Sequence, residues 1–346
     1  MKKFISVVLG ITLTAACLAG CGSGSSDKAP AAETKTQSAE PLALKLGSTS
    51  PVGTFHETIA VTFADTLKEV SGGMVTVDVV MGGALGNTMS HYSQMEQGDL
   101  DFFMAALDTA SGLKEGSDMA VVLVPFLFDD ESHYEKFLES DVLNGLVKKV
   151  EDANGLKFMG SLSRQLPRGL STTSVPVYSV EDVKNLKIRT PEAMAMTTIW
   201  SAWGANPVVI SGGELYSALQ SGLADGQDND VINTSTSAYY EIQDYYMELD
   251  YIYQNLFLWA SAKNLAAMTD QQQAWVIEAV DKTYEKLDIL VNDMYKEEKQ
   301  KMMDNGVEFI DVDLDSFRSA TAEAVGEFEG SLYSEGLYDQ IRALAE

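Results

Sequence analysis

Arginine is scarce in this 346-residue chain: there are five, Arg164, Arg168, Arg189, Arg318 and Arg342, and three of them fall between positions 164 and 189. Arg189 stands in Lys187-Ile-Arg-Thr-Pro191, where a proline biases the residue before it away from helix. A guanidinium presents parallel N–H donors that match both oxygens of a carboxylate, which a lysine ammonium does not. Two readings of the cluster stand side by side on these residues alone: anion recognition, or a structural salt bridge. Other chemistry is poorly represented. The three histidines, His56, His91 and His133, are scattered and form no zinc-like group. No dinucleotide fingerprint, P-loop or nucleophile elbow is present, so no cofactor is expected. No catalytic pair can be singled out from fifty-one acids.

The net charge of −27 argues against nucleic acid, whose phosphates need lysine and arginine. Met1 to Gly20 reads as a lipoprotein signal peptide. Lys2 and Lys3 precede a short apolar run, and Leu18-Ala-Gly-Cys21 resembles a bacterial lipobox with lipidation at Cys21. Losing both lysines with this leader would bring the net charge to −29. Cys21 would then be the sole cysteine, so no intrachain disulfide could form and the core alone must hold the fold. Residues 21–40 are rich in Gly, Ser, Ala and Thr and read as a lipid-anchored flexible linker, with an r.m.s. reach of about 25 Å.

From Leu42 the pattern alternates strand and helix, which predicts an α/β fold. The predicted elements include strands at 42–46, 75–80, 100–106 and 156–160 and helices from His56 to Val70 and from Asn87 to Gly98. Val121 to Phe128, with Pro125 inside it, predicts a short strand. One helix is expected from Glu131 to about Asn154. The second half repeats the alternation with strands at 186–188 and 208–210 and helices at 192–203 and 214–221. Asp270 to Asn305 holds neither Gly nor Pro and would run about 50 Å if unbroken, although a kink fits the pattern equally well. A strand at 307–312 and a helical C-terminal region, 314–345, complete the chain.

Several segments together resemble the solute-binding proteins of TRAP transporters, the DctP-like family. They are Lys187-Ile-Arg-Thr-Pro191, Gly204-Ala-Asn-Pro207, Glu214-Leu-Tyr-Ser-Ala-Leu219 and Gly222-Leu-Ala-Asp-Gly-Gln-Asp-Asn229. Ala84-Leu-Gly86, Gln97-Gly-Asp-Leu-Asp101, Val124-Pro-Phe-Leu-Phe128 and the Pro176 to Asp182 segment extend the likeness. The resemblance implies a two-lobed periplasmic-binding-protein-like fold with an interlobe ligand cleft and a long helix spanning both lobes. Lobe I would hold 41–165 plus 255–294, and lobe II 166–254 plus 295–346. It also implies an extracytoplasmic monomer that captures a small organic acid and delivers it to TRAP permease subunits, without enzymatic turnover. A sensory binding protein serving a receptor, and an enzyme acting on an organic acid, are the alternatives.

The family's carboxylate-binding arginine falls on Arg189. Arg168 aligns with a second ligand-holding arginine, with Arg164 as a competitor for that role. Asn229 matches a polar residue near the ligand, and Asp228 is either structural or a ligand contact. Asp225-Gly-Gln reads as a tight turn, and Trp203, Tyr216 and Leu219 as core. Gly212-Gly213 stands where relatives have a bulkier residue, which either enlarges the pocket at Gly212 or frees the backbone there. Phe102 to Ala106 lacks the acid that sialic-acid-binding relatives carry, which argues against sialic acid. The tyrosines between 239 and 251 either line the pocket or pack between lobes.

Overall fold

The computed structural model describes residues 40–345. The signal peptide, Cys21 and nearly all of the linker lie outside the described residues. Two sheets organise the chain. The first takes β1 (Leu42–Gly47), α1 (Phe55–Val70), β2 (Val75–Val80), α2 (Thr88–Gln97), β3 (Phe102–Ala105), α3 (Glu131–Leu138), α4 (Asp141–Asn154) and β4 (Leu156–Arg164). The second takes β5 (Gly169–Thr172), β6 (Lys187–Thr190), α5 (Met194–Ala202), β7 (Asn206–Val209), α6 (Leu215–Gln220), β8 (Gly226–Asn229), α7 (Val231–Thr236) and β9 (Tyr245–Met247). The chain then returns to the first sheet through β10 (Asn255–Ser261) and α8 (Ala262–Ala267). It finishes with α9 (Asp270–Asp304), β11 (Glu308–Ile310), α10 (Leu314–Phe328) and α11 (Leu337–Arg342).

The strand orders are β2-β1-β3-β10-β4 and β11-β9-β5-β8-β6-β7. In the first sheet β1 runs parallel to β2 and β3, and β10 lies antiparallel between β3 and β4, with Trp259 opposite Phe103 and Phe158. Helix α1 lays Ile59, Phe63 and Leu67 on this sheet, one residue per turn, and all three are fully buried. Burying each such side chain stabilises by about 1.5–3 kcal/mol, an upper figure because the unfolded chain already hides part of that surface. In the second sheet β6 lies parallel to β7 and β8, and β5 lies antiparallel to β8 and β9. Pro207 falls on β7, an edge strand, where its missing N–H breaks no ladder bond.

The sheets are joined by two crossing segments that run side by side. Gln165 N–H donates to Gln254 O and Arg168 N–H to Ile252 O. Helix α9 is the third connection, unbroken over 35 residues, which at 1.5 Å per residue is about 52 Å. A capping box starts it: Thr269 accepts from Gln272 N–H, and the Gln272 side chain accepts from Thr269 N–H. Its Val276, Val280, Leu287 and Val291 join the core of the first sheet. Its Met302 joins a small cluster with Tyr246 and Val307 at the second. No helix among the described residues is long and apolar enough to cross a membrane.

The structure corrects several expectations. Val121 to Phe128 forms no strand. A 3-10 helix covers Ser117–Leu123, and Val124 to Phe128 is buried irregular chain. Pro125 lacks a ladder donor, and Phe126 sits at φ +57° with its N–H given to Tyr251 O. The single helix expected from Glu131 is two, because Ser140 caps a second one by accepting from Leu143 N–H. Strand β4 runs on to Arg164, and Gly226 to Asn229 is strand rather than turn. The C-terminal region is two helices separated by Gly330 and Gly336, both at positive φ.

Candidate functional site

A cleft of about 610 Å³ lies between the two sheets and is walled by loops at strand ends. Its first wall is the turn after β1, the loop before α2 and the 3-10 segment after β3. Its second is formed by the ends of β6 and β8 and the loop into α6. The crossing segments supply Gln165, Arg168 and Gln254 at its floor.

Arg189 lines the cleft from β6 while remaining 6 % exposed. Its Nε donates to Ile210 O at 2.8 Å, and neither terminal nitrogen finds an acceptor among the described residues. No carboxylate among the described residues lies within ion-pair distance of it. Burial pushes its pKa down to about 10, against the pull of nearby Asp228, so the group stays cationic at neutral pH. A buried guanidinium whose terminal N–H groups have no protein acceptor can take up an anion, because an unmatched buried charge is costly until a counter-charge arrives.

Arg168 also lines the cleft but is already matched. Its Nε donates to Asp228 Oδ2 at 2.7 Å, one terminal nitrogen to Asp228 O at 2.6 Å and the other to Gln254 Oε1 at 3.0 Å. Burial alone would lower its pKa, but the contact with Asp228 outweighs burial and raises it. Asp228 is fully buried and does not line the cleft; it stands behind Arg168, where Oδ2 also accepts from the Tyr251 hydroxyl at 2.5 Å. Register sets this pair, since Leu170 on β5 faces Asp228 on β8. Arg164 lies elsewhere: it pairs with Glu131 and Asp288 at 3.0 Å and lines a separate 290 Å³ cavity.

Asn229 lines the cleft one strand position beyond Asp228. One amide hydrogen goes to Gln227 Oε1 at 2.6 Å, and its Oδ1 accepts from nothing among the described residues. Gly212 lines the cleft opposite Pro51. A Cβ there would lie 3.9 Å from Pro51 Cδ, and one at Gly213 would meet nothing, so the pair leaves open space. The tyrosines divide: Tyr239 lines the cleft, whereas Tyr246 and Tyr251 are buried beneath it, bonded to Asn229 O and Asp228. Trp203 and Leu219 are core, but Tyr216 is only partly buried and its hydroxyl reaches Glu241. Asp225 sits at a bend just before β8, and Gly226 and Gln227 are strand. The Asp225 carboxylate accepts from Lys187 N–H at 2.8 Å and ties the start of β6 to β8.

Four cleft groups escaped the sequence reading. Asp108 lies two residues past the stretch taken to lack an acid, and it accepts from Gln254 Nε2 at 3.2 Å. Burial raises its pKa, with Arg168 opposing. The absence of an acid in Phe102–Ala106 therefore does not exclude an acid from the cleft. His56 accepts at Nε2 from the Gln165 amide at 2.5 Å and donates from Nδ1 to Ser50 Oγ at 2.6 Å. Burial, aided by Arg168, lowers its pKa to about 4, so it is neutral. Gln165 and Gln254 complete the group.

The chain was compared with known proteins. A family model described as "Bacterial extracellular solute-binding protein, family 7" matches residues 46–331. The sialic acid-binding periplasmic protein SiaP of Vibrio cholerae is 28% identical over 84% of this chain and 89% of its own. The 2,3-diketo-L-gulonate-binding periplasmic protein YiaO of Escherichia coli is 27% identical over 81% and 80%. A TRAP periplasmic solute-binding protein from Roseobacter denitrificans, solved with bound L-galactonate, superposes with a TM-score of 0.80 at 21% identity, covering 89% of this chain and 100% of that one.

Proposed function

The chain belongs to family 7 of the bacterial extracellular solute-binding proteins, and from that premise we propose that it captures a small organic acid by lobe closure and hands it to a TRAP-type permease. The observation that carries the reading is Arg189, a buried cation in the cleft whose terminal nitrogens have no protein acceptor among the described residues. The solute's carboxylate takes those donors. Asn229 adds an amide beside it, and Gly212 leaves room for the solute's body. Arg168 reaches the solute with whatever donor capacity Asp228 and Gln254 leave it, and Asp228 acts by holding Arg168 rather than by touching the solute. The family is one of binding proteins rather than enzymes.

Relatives support an acid as cargo: their names and bound molecules include sialic acid, 2,3-diketo-L-gulonate and galactonate. The lobes are 41–165 with 255–294, and 166–254 with 295–346, with α11 reaching back to Ser117–Leu123. Signal cleavage before Cys21 and lipidation of its thiol tether a monomer to the outer face of the cell membrane. A thermal-shift panel of monocarboxylates, dicarboxylates, keto acids and sugar acids tests the reading, because a ligand that binds only the folded state raises stability by RT ln(1 + [L]/Kd). Arg189→Ala removes the shift and costs about 2–5 kcal/mol of binding. An undiminished shift in that variant contradicts the assignment.

A further inference from the structure

We propose that the cleft selects a hydroxylated monocarboxylate over a dicarboxylate, with Asp108 as the residue that sets this preference. The proposal rests on the carboxylate reading above and narrows its substrate class.

Two guanidinium and three carboxyl side chains line the cleft: Arg168, Arg189, Asp108, Glu192 and Glu214. No lysine does so among the described residues, and His56 is neutral. Arg168 is answered at contact by Asp228, 2.7 Å away. Arg189 is thus the single cleft cation that no carboxylate touches, and one carboxylate on the solute satisfies it. A second carboxylate would find no free cation. It would instead share the cleft with Asp108, which is 7 % exposed and held by Gln254. Like charges brought together away from water repel strongly. Glu192 and Glu214 are exposed at the mouth and add a weaker bias of the same sign, screened by solvent.

Asp108 comes from the segment after β3 and Arg189 from β6, so the acceptor and the cation stand on walls built by different sheets. The lining of the same cleft also carries neutral polar groups, among them Asn87, Thr109, Gln165 and Gln254. A carboxylate at Asp108 accepts well from a hydroxyl and badly tolerates another carboxylate. This pattern fits a polyol chain ending in CH2OH, not one ending in a second acid.

Matched sugar acids test the inference by calorimetric titration of the purified protein. Galactonate and galactarate share their carbon chain and hydroxyl pattern and differ at one terminus, CH2OH against carboxylate; erythronate and meso-tartrate form a shorter pair. The monoacid of at least one pair binds 10-fold or more tighter than its diacid, which corresponds to about 1.4 kcal/mol. Asp108→Asn shrinks that ratio, weakening the monoacid and easing the diacid. Diacids binding as tightly as their monoacids overturn the proposal, as does a ratio unchanged in a folded Asp108→Asn protein. Should that variant fail to fold, the wild-type ratio decides alone. If only a dianion such as succinate binds, and does so through Arg189, this substrate class falls while the carboxylate reading survives. If no carboxylate binds, or Arg189→Ala binds as well as wild type, both fall.

Discussion

Asp228 gives the sharpest single perturbation of the site's framework. Its carboxylate is fully buried and holds Arg168 at 2.7 Å and the Tyr251 hydroxyl at 2.5 Å. Asp228→Ala leaves Arg168 with its bonds to Asp228 O and Gln254 but with no counter-charge, and leaves Tyr251 without an acceptor. Removing one partner of a buried ion pair costs about 3–5 kcal/mol. The lower end applies here, because Asp228 Oδ1 has no hydrogen-bond partner among the described residues and the pair is incompletely satisfied. The expected loss is therefore about 3 kcal/mol. Asp228→Asn keeps an acceptor for both partners and loses only charge, so about 1–3 kcal/mol is expected. Urea denaturation at pH 7 of Asp228→Ala, Arg168→Ala and the double variant closes a cycle, and the coupling should be about 2 kcal/mol or more. A coupling below about 0.5 kcal/mol would refute the claim that Asp228 acts through Arg168.

Two further outcomes follow from the same geometry. His56 has a folded pKa of about 4, below its ordinary value near 6.5, so it stabilises the fold fully above pH 6.5, and this is lost as pH falls from 6.5 toward 4. Its ring keeps some exposure to the cleft, so the loss stays below about 3 kcal/mol. Melting curves of His56→Gln against wild type over pH 4–7 should show a flatter acid slope in the variant, and equal slopes would contradict the assignment. Gly226→Ala brings a Cβ within 2.6 Å of Ser171 O in the neighbouring strand. Backbone there cannot yield cheaply, so a loss of about 1–3 kcal/mol is expected, and an unchanged urea midpoint would show that the sheet relaxes.

The arginine strand was legible because its signal is local. Scarce arginines, a Thr-Pro stop and alternating strand and helix all lie within one stretch, and β6 carries Arg189 to the cleft as expected. The long helix was legible in extent, since Asp270 to Asp304 contains no breaker and begins on a capping box. Its continuity was not, because nothing in an amphipathic pattern distinguishes a straight helix from one kinked by its neighbours. Most polar groups of the cleft's first wall and floor were not legible. Ser50, His56, Asp108, Gln165 and Gln254 come from separate segments, mostly turns and crossings without periodicity, and only tertiary folding gathers them. Asp108 sits in a 3-10 turn just past the predicted strand at 100–106. The sequence left Asp228 open between a structural role and a ligand contact, and it is alternation along β8 that turns Asn229 toward the cleft and buries Asp228.

The most direct measurement is a crystal structure of the protein with a captured monocarboxylate. The account predicts one solute carboxylate with both oxygens about 2.7–2.9 Å from the terminal nitrogens of Arg189, and the solute's hydroxyls reaching Asp108. A carboxylate seated on Arg168 instead, with Asp228 displaced and Arg189 left without a solute contact, would contradict it.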